Sequence, residues 1–579
     1  MSKRKLKKFR WLNWGTVFFF LCSWAAAYLI SGQPLVKDSV FIDVPLIPQE
    51  AIFVASISTD SKQWQQLQQW GTPEIQAALK RRLTRLSKSL LGSKSESYQN
   101  LIKPFIGKEV TLAYLHSNLA QSTSPTPSVT EYSPKNSSKQ KSLVLLLPLK
   151  NQLLAKQLWT QLNSQLKSKF GEKSYKKIKI KQIKNNNYCI SLIGRFIVVS
   201  TDFSSMKRVI DTHQDSASSV ITPRAEKALA NISKTTDQNL AKFYLNIPAA
   251  LEFATTLSSR VILPESIQQQ TKQGIAGKVL LESEGLRIQG ILWHKLNNSD
   301  SQNLTLAKNL PTENSVKNMA QNLPIETQFM FAGGNIKQLW QDFVAESESN
   351  PLIPIEFQPV ILTNWIKSTT NLDWEQDFLP WMGDQISLAL IPTKEEIFTL
   401  GKNHHNQLEG ALVVMLQISD RDHGEQIWMQ LDQTVATKHN FQVESFHQSA
   451  QPIFKWTSPG KKANFAYGWL EEDLLFFTLG SSIVPSLIEK PKQNLNGNEL
   501  YQQTILTRLN PNQMQIFLDL DSPMRENIEL LPFSPKQKMF LKAINTIGFT
   551  TAITDEITTS FKIVIQPKTI KDKRIKDKI

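Results

Sequence analysis

Cysteine is nearly absent from this chain of 579 residues, which contains only Cys22 and Cys189. Cys22 lies in an apolar N-terminal run and Cys189 in a predicted strand, so we expect no disulfide between them. A chain of this length can build cores that are stable without disulfides. The composition therefore excludes a small disulfide-stapled architecture but leaves an exported location open.

The motifs of common catalytic and cofactor sites are absent as well. There is no Gly-rich phosphate loop followed by Lys and Ser or Thr, no Gly-x-Gly-x-x-Gly, no His-Glu-x-x-His and no Gly-x-Ser-x-Gly. We therefore predict no catalytic residue, no cofactor-binding residue and no metal ligand. A hydrolase-like exported enzyme, with active residues dispersed along the chain, is kept as the alternative.

Two polar clusters remain after this search. His404 and His405 are adjacent, but no Cys or carboxylate stands at a convincing metal-ligand spacing from them, so we interpret them as loop residues. The run from Asp420 to Glu425 precedes a predicted helix that contains Trp428. Acidic side chains favour the positive end of a helix dipole, so we interpret this run as a solvated helix start.

The N-terminus carries a membrane signal. Residues 1–10 contain six basic side chains, and residues 11–31 contain no charged one. About 20 apolar residues suffice for a helix to cross the hydrocarbon core, and the basic flank stays in the cytoplasm. We predict a transmembrane helix at 11–31, with the bulk of the chain in the periplasm or thylakoid lumen. A cleaved signal peptide, cut at Ala25-x-Ala27, is the alternative.

The sequence also repeats itself. At one spacing of 276 positions, the matched pairs are Pro48 and Pro324, Glu50 and Glu326, Phe53 and Phe329, Trp64 and Trp340, and Gly107 and Gly383. Trp159 and Trp428 match at a spacing of 269, as loops of unequal length require. A recurrence of this kind predicts duplicated modules. We place them at residues 40–295 and 316–567, joined by a polar linker at 296–315 and followed by a basic tail at 568–579.

Short apolar runs within the first module predict strands. They are Ile52–Ile57, Val110–Leu115, Leu143–Leu149, Ile178–Ile183, Tyr188–Leu192 and Phe196–Ser200. Several follow one another without helical crossovers, which favours an α+β fold with an antiparallel sheet and helices on one face.

Two leucine-rich stripes predict helices. Thr72 suits a helix N-cap and Pro73 the first helical position. The two stripes are Ile75, Leu79, Leu83, Leu86 and Leu90, and then Leu154, Leu158, Leu162 and Leu166. Residues 118–141, rich in Ser, Thr, Pro and Lys, predict a long loop that residues 401–408 replace in the second module.

The two predicted modules differ in charge. Residues 40–300 contain 34 basic and 18 acidic side chains, whereas residues 301–567 contain 19 and 29. The basic module can lie against anionic lipid headgroups, the two modules can face each other, or the charges can have drifted without consequence. The alternation from Lys177 to Lys181 predicts lysines on one face of a strand, where they blunt an exposed edge rather than bind.

The run from Ile47 to Thr59, followed by Trp64 and by Trp70-Gly-Thr-Pro-Glu74, resembles a domain-of-unknown-function family seen in cyanobacteria, DUF thirty-three fifty-two. Its members share one N-terminal membrane segment and a long exported region. The family has no established activity, so the resemblance implies topology and carries no site residues. We predict a non-catalytic protein anchored in the membrane that binds a protein partner, a lipid or a cell-wall component. An exported chain is not expected to bind nucleic acid.

Overall fold

The computed structural model describes these residues, with gaps of one or two positions inside some ranges: 46–81, 106–115, 142–150, 153–160, 170–183, 187–215, 239–253, 272–294, 319–344, 358–399, 407–505, 514–521 and 535–568. Outside them lie the predicted segments 1–10, 11–31, 118–141 and 296–315, residues 401–406, the tail beyond Lys568, and most of the two leucine stripes. Within the described ranges, no helix has both the length and the apolar character needed to cross a bilayer.

Twenty strands within the described ranges form one antiparallel sheet. Those of the first half are β1 (Ala51–Ser58), β2 (Glu109–Leu115), β3 (Ser142–Pro148), β4 (Phe170–Tyr175), β5 (Ile178–Ile183), β6 (Cys189–Ile193), β7 (Phe196–Ser200), β8 (Asn239–Asn246), β9 (Lys272–Leu281) and β10 (Leu286–His294). Those of the second half are β11 (Phe329–Gly334), β12 (Met382–Thr399), β13 (Gln407–Ile418), β14 (Gln442–Gln448), β15 (Gln451–Thr457), β16 (Asn464–Glu471), β17 (Leu474–Leu479), β18 (Met514–Asp519), β19 (Ile544–Asp555) and β20 (Thr558–Pro567).

The pairings define one continuous strand order. It runs β4-β5-β6-β7-β3-β2-β1-β8-β9-β10 and continues β20-β19-β18-β11-β12-β13-β17-β16-β15-β14. Strands β10 and β20 pair at the junction of the halves, and β4 and β14 are the outermost strands. The prediction of an antiparallel sheet with helices is confirmed.

Helices cover both faces of the sheet. They are α1 (Ser61–Gln68), α2 (Phe203–Gln214), α3 (Pro359–Thr370), α4 (Arg421–His439), α5 (Val484–Ile488), α6 (Glu499–Thr504) and α7 (Pro535–Lys542), with a π-helical turn at Trp374–Phe378. Val54 packs in one core with Met206 of α2, whereas its neighbour Ala55 packs in another core with Trp64 of α1. The expectation of helices on one face is therefore wrong, because β1 is apolar and buried on both sides.

The helix predicted at Pro73 begins there, and the backbone N–H of Gln76 donates to the Thr72 carbonyl at 2.9 Å. The sequence patterns did not predict α1, which precedes it. Its N-cap is Asp60, whose side chain accepts a hydrogen bond from the Lys62 backbone N–H at 2.8 Å. An Asp before a short polar helix is the signal that could have found it.

Candidate functional site

The most distinctive charged surface of the first half is the β4–β5 hairpin. Tyr175 pairs with Ile178, which leaves Lys176 and Lys177 as the two-residue turn. Their φ values are +44° and +67°, both positive as a type I′ turn requires. Asn-Gly fits such a turn best, whereas two lysines adopt it at a conformational cost. The hairpin therefore holds two cations at its tip in a costly backbone conformation.

Lysines continue along both faces of the hairpin and onto helix α2. Lys173 lies on the face towards α2, whereas Lys179 and Lys181 lie on the opposite face. We call this set the basic hairpin surface: Lys173, Lys176, Lys177, Lys179, Lys181 and Lys207, with the rings of Tyr175, Phe203 and Trp159. Lys207 Nζ lies 5.1 Å from the centroids of both Tyr175 and Phe203. Lys173 Nζ lies 5.0 Å above Phe203. These contacts orient the ammonium groups while leaving them charged and hydrated on one side.

Asp211 and Glu172 form ion pairs with this surface, and Asp215 also raises the pKa of Lys176 through its charge. Lys176 Nζ lies 2.6 Å from Asp211, and Lys179 Nζ lies 2.9 Å from Glu172. The hydrogen bond that Lys176 donates to Asp211 raises the pKa of Lys176, and the one that Lys179 donates to Glu172 lowers the pKa of Glu172. Six cations against two paired anions leave a net positive surface.

The sequence interpretation of this lysine run is corrected in two respects. Lys177 lies in the turn and not in a strand, and β5 begins at Ile178 as predicted. Strand β5 is not the sheet edge either, because β4 lies outside it. Lys179 and Lys181 therefore do not blunt the edge, and that explanation for them fails.

The corresponding hairpin of the second half, β14–β15, has the same two-residue turn but none of these lysines. Gln448 pairs with Gln451, and Ser449 stands in the turn where the first hairpin has Lys176. Counted from that turn, Phe446 stands where β4 has Lys173, and Pro452 stands where β5 has Lys179. The architecture therefore does not require a basic hairpin.

Of the two clusters singled out in the sequence, the run from Asp420 to Glu425 is structural. Asp420 caps helix α4 by accepting from the His423 backbone N–H at 3.1 Å, and Arg421 Nε lies 2.8 Å from Glu425. That run is a helix start, as interpreted. His404 and His405 lie outside the described residues. Among the described residues, no group of three or more His, Cys, Asp or Glu side chains is placed to hold a metal ion.

The four repeated tryptophans have unequal environments. Trp64 and Trp428 are buried, as is typical of large aromatic side chains that anchor a core. Trp159 is half-buried beneath Lys181, whose Nζ lies 5.9 Å from its ring. Trp340 is also half-buried, and its Nε1 donates to Glu375 at 2.9 Å. Two of the four repeated tryptophans are therefore core residues, and the other two are partly exposed.

One apolar surface is exposed on the second half. Helix α3 has no buried residue, and Val360 and Trp365 are 65% and 64% exposed. With Ile361, three exposed apolar side chains form a small patch on this helix. Small exposed apolar patches are normal on proteins, so this one is weaker evidence for a binding site than the basic hairpin surface, which the β14–β15 hairpin of the second half lacks.

The fold is an antiparallel α+β sheet with a cationic hairpin at the outer end of its first half. The family model for the protein of unknown function DUF3352 matches residues 14–566, so this chain belongs to that family. The resemblance seen in the sequence is thereby confirmed. No curated protein matches the chain.

Solved structures of TP0453 are distantly similar. The structure titled "Structure of crystal form IV of TP0453" is 10% identical with a TM-score of 0.24, covering 46% of this chain and 85% of that one. Crystal form III is 10% identical with a TM-score of 0.23, covering 48% and 88%. Values this low carry no argument about fold or function.

Proposed function

We propose that this chain is a non-catalytic, membrane-anchored, extracytoplasmic protein of two tandem modules whose basic hairpin surface binds anionic lipid headgroups. The observation that carries the proposal is the difference between two hairpins of the same design. One has lysines throughout its turn and strands, and the other has Ser449, Phe446 and Pro452 at the corresponding places.

The strand registers support the duplication. Val54 pairs with Ala113 in the first half, and Met330 pairs with Ala389 in the second. Each residue of the second pair stands 276 positions after its counterpart, which is the spacing found in the sequence. One antiparallel register fixes which face every side chain occupies, so agreement at this spacing places corresponding side chains on corresponding faces.

Agreement extends to the loops before the first strand. The Ala51 backbone N–H donates to the Pro48 carbonyl at 3.0 Å, and the Thr327 N–H donates to the Pro324 carbonyl at 3.0 Å. Both pairs are again 276 positions apart. Two modules fused in tandem account for the shared turn, register and strand order.

The charge of the hairpin fits a surface held beside a bilayer. Residues 32–45, between the predicted anchor and the described chain, span at most about 50 Å when fully extended. Such a tether raises the local concentration of lipid headgroups around the first module. Each lysine near an anionic leaflet contributes about 1 kcal/mol, so several acting together outweigh the modest pairing with Asp211 and Glu172.

The test uses the full chain in nanodiscs, with a fluorophore on Ser174→Cys in the exposed strand β4 and headgroup-attached quenchers in the lipid. Cys22 is replaced by Ser, and Cys189 is retained because it is buried. We expect strong quenching in discs with anionic lipid and weak quenching in neutral discs. Added salt is expected to reduce the quenching, because the contact is electrostatic.

Matched variants decide whether the hairpin is responsible. Lys177→Gln with Lys179→Gln is expected to reduce the quenching severalfold. Lys394→Gln with Lys492→Gln removes the same charge from exposed positions of the second half and is expected to leave it unchanged. Equal quenching in neutral and anionic discs, or equal loss in both variants, would refute the headgroup proposal.

The anchor is tested separately by cell fractionation. We expect the intact chain to resist extraction by alkaline carbonate and the chain lacking residues 1–31 to be absent from the membrane fraction. Release of the intact chain by carbonate would contradict the anchor.

A further inference from the structure

A row of polar side chains crosses the junction between the two halves. Gln289 of β10 lies directly opposite Lys562 of β20. Lys278 lies opposite Gln289 on one side, and Thr550 lies opposite Lys562 on the other. Directly opposed residues of antiparallel strands project from the same face. Four polar side chains therefore stand side by side on four adjacent strands.

The row continues into Lys242 of β8, opposite Lys278, and into Gln515 of β18, opposite Thr550, before apolar side chains take over. Further from the junction, the same face of the sheet packs the two large apolar cores that contain Val54 and Met330. Lys278 is 2% exposed and Thr550 is 1% exposed, whereas Gln289 and Lys562 are half-buried. Buried polar groups are costly unless they are hydrogen-bonded, so each of them requires a partner.

Several donors in the row lack a protein partner. The Thr550 hydroxyl is buried and makes no hydrogen bond. Lys562 has no hydrogen-bond or ion-pair partner among the described residues. Arg287, two residues from Gln289 on the same face of β10, pairs with Glu282 at 2.5 Å through Nη2, but its Nε is buried without a partner.

The local charge is positive. Lys562 and Arg287 are close enough that the guanidinium lowers the pKa of the ammonium, although burial lowers it more. Glu282 offsets this in part. Lys278 adds a third cation, so three cations stand against the Glu282 carboxylate and leave a positive environment at the junction, which an anion would neutralise.

We propose that Lys562, Arg287, Gln289 and Thr550 form a binding site for a phosphate group at the junction of the two halves. Four donors that project from one face match the oxygens of a tetrahedral oxyanion better than the two oxygens of a carboxylate. A bound phosphate would satisfy the Thr550 hydroxyl and the Arg287 Nε together. The ligand is either free phosphate or the phosphate of an anionic lipid headgroup.

The site is independent of the basic hairpin surface. The hairpin lies at the outer end of the first half, whereas the junction strand β10 is nine strands away in the sheet order. Loss of lysines from the hairpin therefore leaves the junction site intact. Failure of one proposal does not entail failure of the other.

The test measures thermal unfolding of the full chain in neutral phosphatidylcholine nanodiscs as inorganic phosphate is added at constant ionic strength. We expect a saturable rise in Tm, because a ligand that binds only the folded state stabilises it. In a second arm without phosphate, nanodiscs containing an anionic phospholipid replace the neutral ones, and the chain carries Lys177→Gln and Lys179→Gln so that the basic hairpin surface does not contribute to the rise. A rise in the first arm alone identifies free phosphate as the ligand, and a rise in the second alone identifies the headgroup.

Two variants make the result specific. Lys562→Gln is expected to weaken phosphate binding roughly tenfold or more, because it removes a charged donor. Thr550→Val removes only an unpaired hydroxyl, so it is expected to fold at least as stably as the native chain and still bind phosphate more weakly. Lys492→Gln, on the exposed surface of the second half, is the control and is expected to bind as the native chain does. No saturable rise in either arm, or equal binding by Thr550→Val and the native chain, would overturn the site.

Discussion

Lys242 and Glu109 form an ion pair inside the first half, with 2.9 Å between Nζ and Oε1 and side-chain exposures of 8% and 9%. Lys242 pairs with Ser56 across β8 and β1, and Glu109 pairs with Ser58 across β2 and β1. The same register positions of the second half hold neutral amides: Gln515 opposite Ala332 and Gln385 opposite Gly334. One half thus has a buried ion pair where the other has two glutamines.

This difference predicts a non-additive response to mutation. Glu109→Gln alone is expected to cost about 3 kcal/mol or more, because it leaves the Lys242 ammonium buried without its carboxylate. Glu109→Gln with Lys242→Gln reproduces the pair found in the second half and is expected to lie within about 1 kcal/mol of the native chain. Guanidinium unfolding of the full chain measures both. A double variant as unstable as the single one would show that the ion pair stabilises the fold in its own right.

Two tryptophans of different exposure predict unequal costs of substitution. Trp64 is fully buried and its Nε1 donates to the Ser58 carbonyl at 2.9 Å. Trp64→Ala is therefore expected to lower the free energy of unfolding by about 3–5 kcal/mol. Trp365→Ala, at a position 64% exposed, is the control and is expected to change it by at most about 0.5 kcal/mol. Similar losses of stability at both positions would contradict the difference in burial between Trp64 and Trp365.

Local patterns were sufficient to predict the central strands and the start of one helix. The apolar run Ile52–Ile57 lies within β1, and Pro73 begins a helix, since both features depend on residues adjacent in sequence. The repeat spacing was also visible, because proline, tryptophan and glycine are rare enough to serve as landmarks. Strand β4 was missed because Phe170–Tyr175 is polar and lacks an apolar alternation.

The junction and its polar row could not be predicted from the sequence. Gln289 and Lys562 are paired across the sheet but stand far apart in the chain, and nothing local to either residue indicates the other. The basic hairpin surface was visible only as a lysine run. Its aromatic contacts depend on helix α2, and the positive φ values of its turn have no signature in two consecutive lysines.

The turn of the basic hairpin predicts a conflict between stability and binding. Lys177 has a φ of +67°, which costs an L residue about 1–2 kcal/mol and glycine nothing. Glycine loses more chain entropy on folding, which offsets part of this gain. Lys177→Gly is therefore expected to raise the free energy of unfolding by roughly 0.5–1 kcal/mol. The same variant is expected to bind anionic nanodiscs more weakly, because it removes a cation at the tip.

Ser449→Gly provides the matched control for this turn. Ser449 also has a positive φ, +50°, in the hairpin of the second half. We expect this variant to gain stability by a similar mechanism without any change in lipid binding. Unfolding midpoints and the quenching assay on the same preparations check both expectations. A stabilised Lys177→Gly variant with unaltered binding would exclude Lys177 from the lipid contact.

Lys562 predicts a pH dependence of stability with a definite sign. Burial first, and Arg287 second, lower its pKa in the folded chain from the ordinary 10.5 to about 8. Between those two values the unfolded chain binds more protons than the folded chain, so this group makes the free energy of unfolding rise with pH. Below about pH 8 both states are protonated, and the folded chain bears the full cost of the half-buried charge.

Lys562→Met removes that cost while keeping most of the side-chain volume. We expect the variant to be more stable than the native chain at pH 7, with an advantage that shrinks as the pH approaches 10 because the native lysine loses its proton. Guanidinium midpoints at pH 7 and pH 9.5 measure the difference, and the exposed Lys492→Met serves as the control with no pH-dependent gain. An advantage of equal size at both pH values would mean that packing, and not the charge of Lys562, accounts for it. Saturating phosphate is expected to raise the stability of the native chain toward that of the variant at pH 7, since a bound anion compensates the same charge that methionine removes.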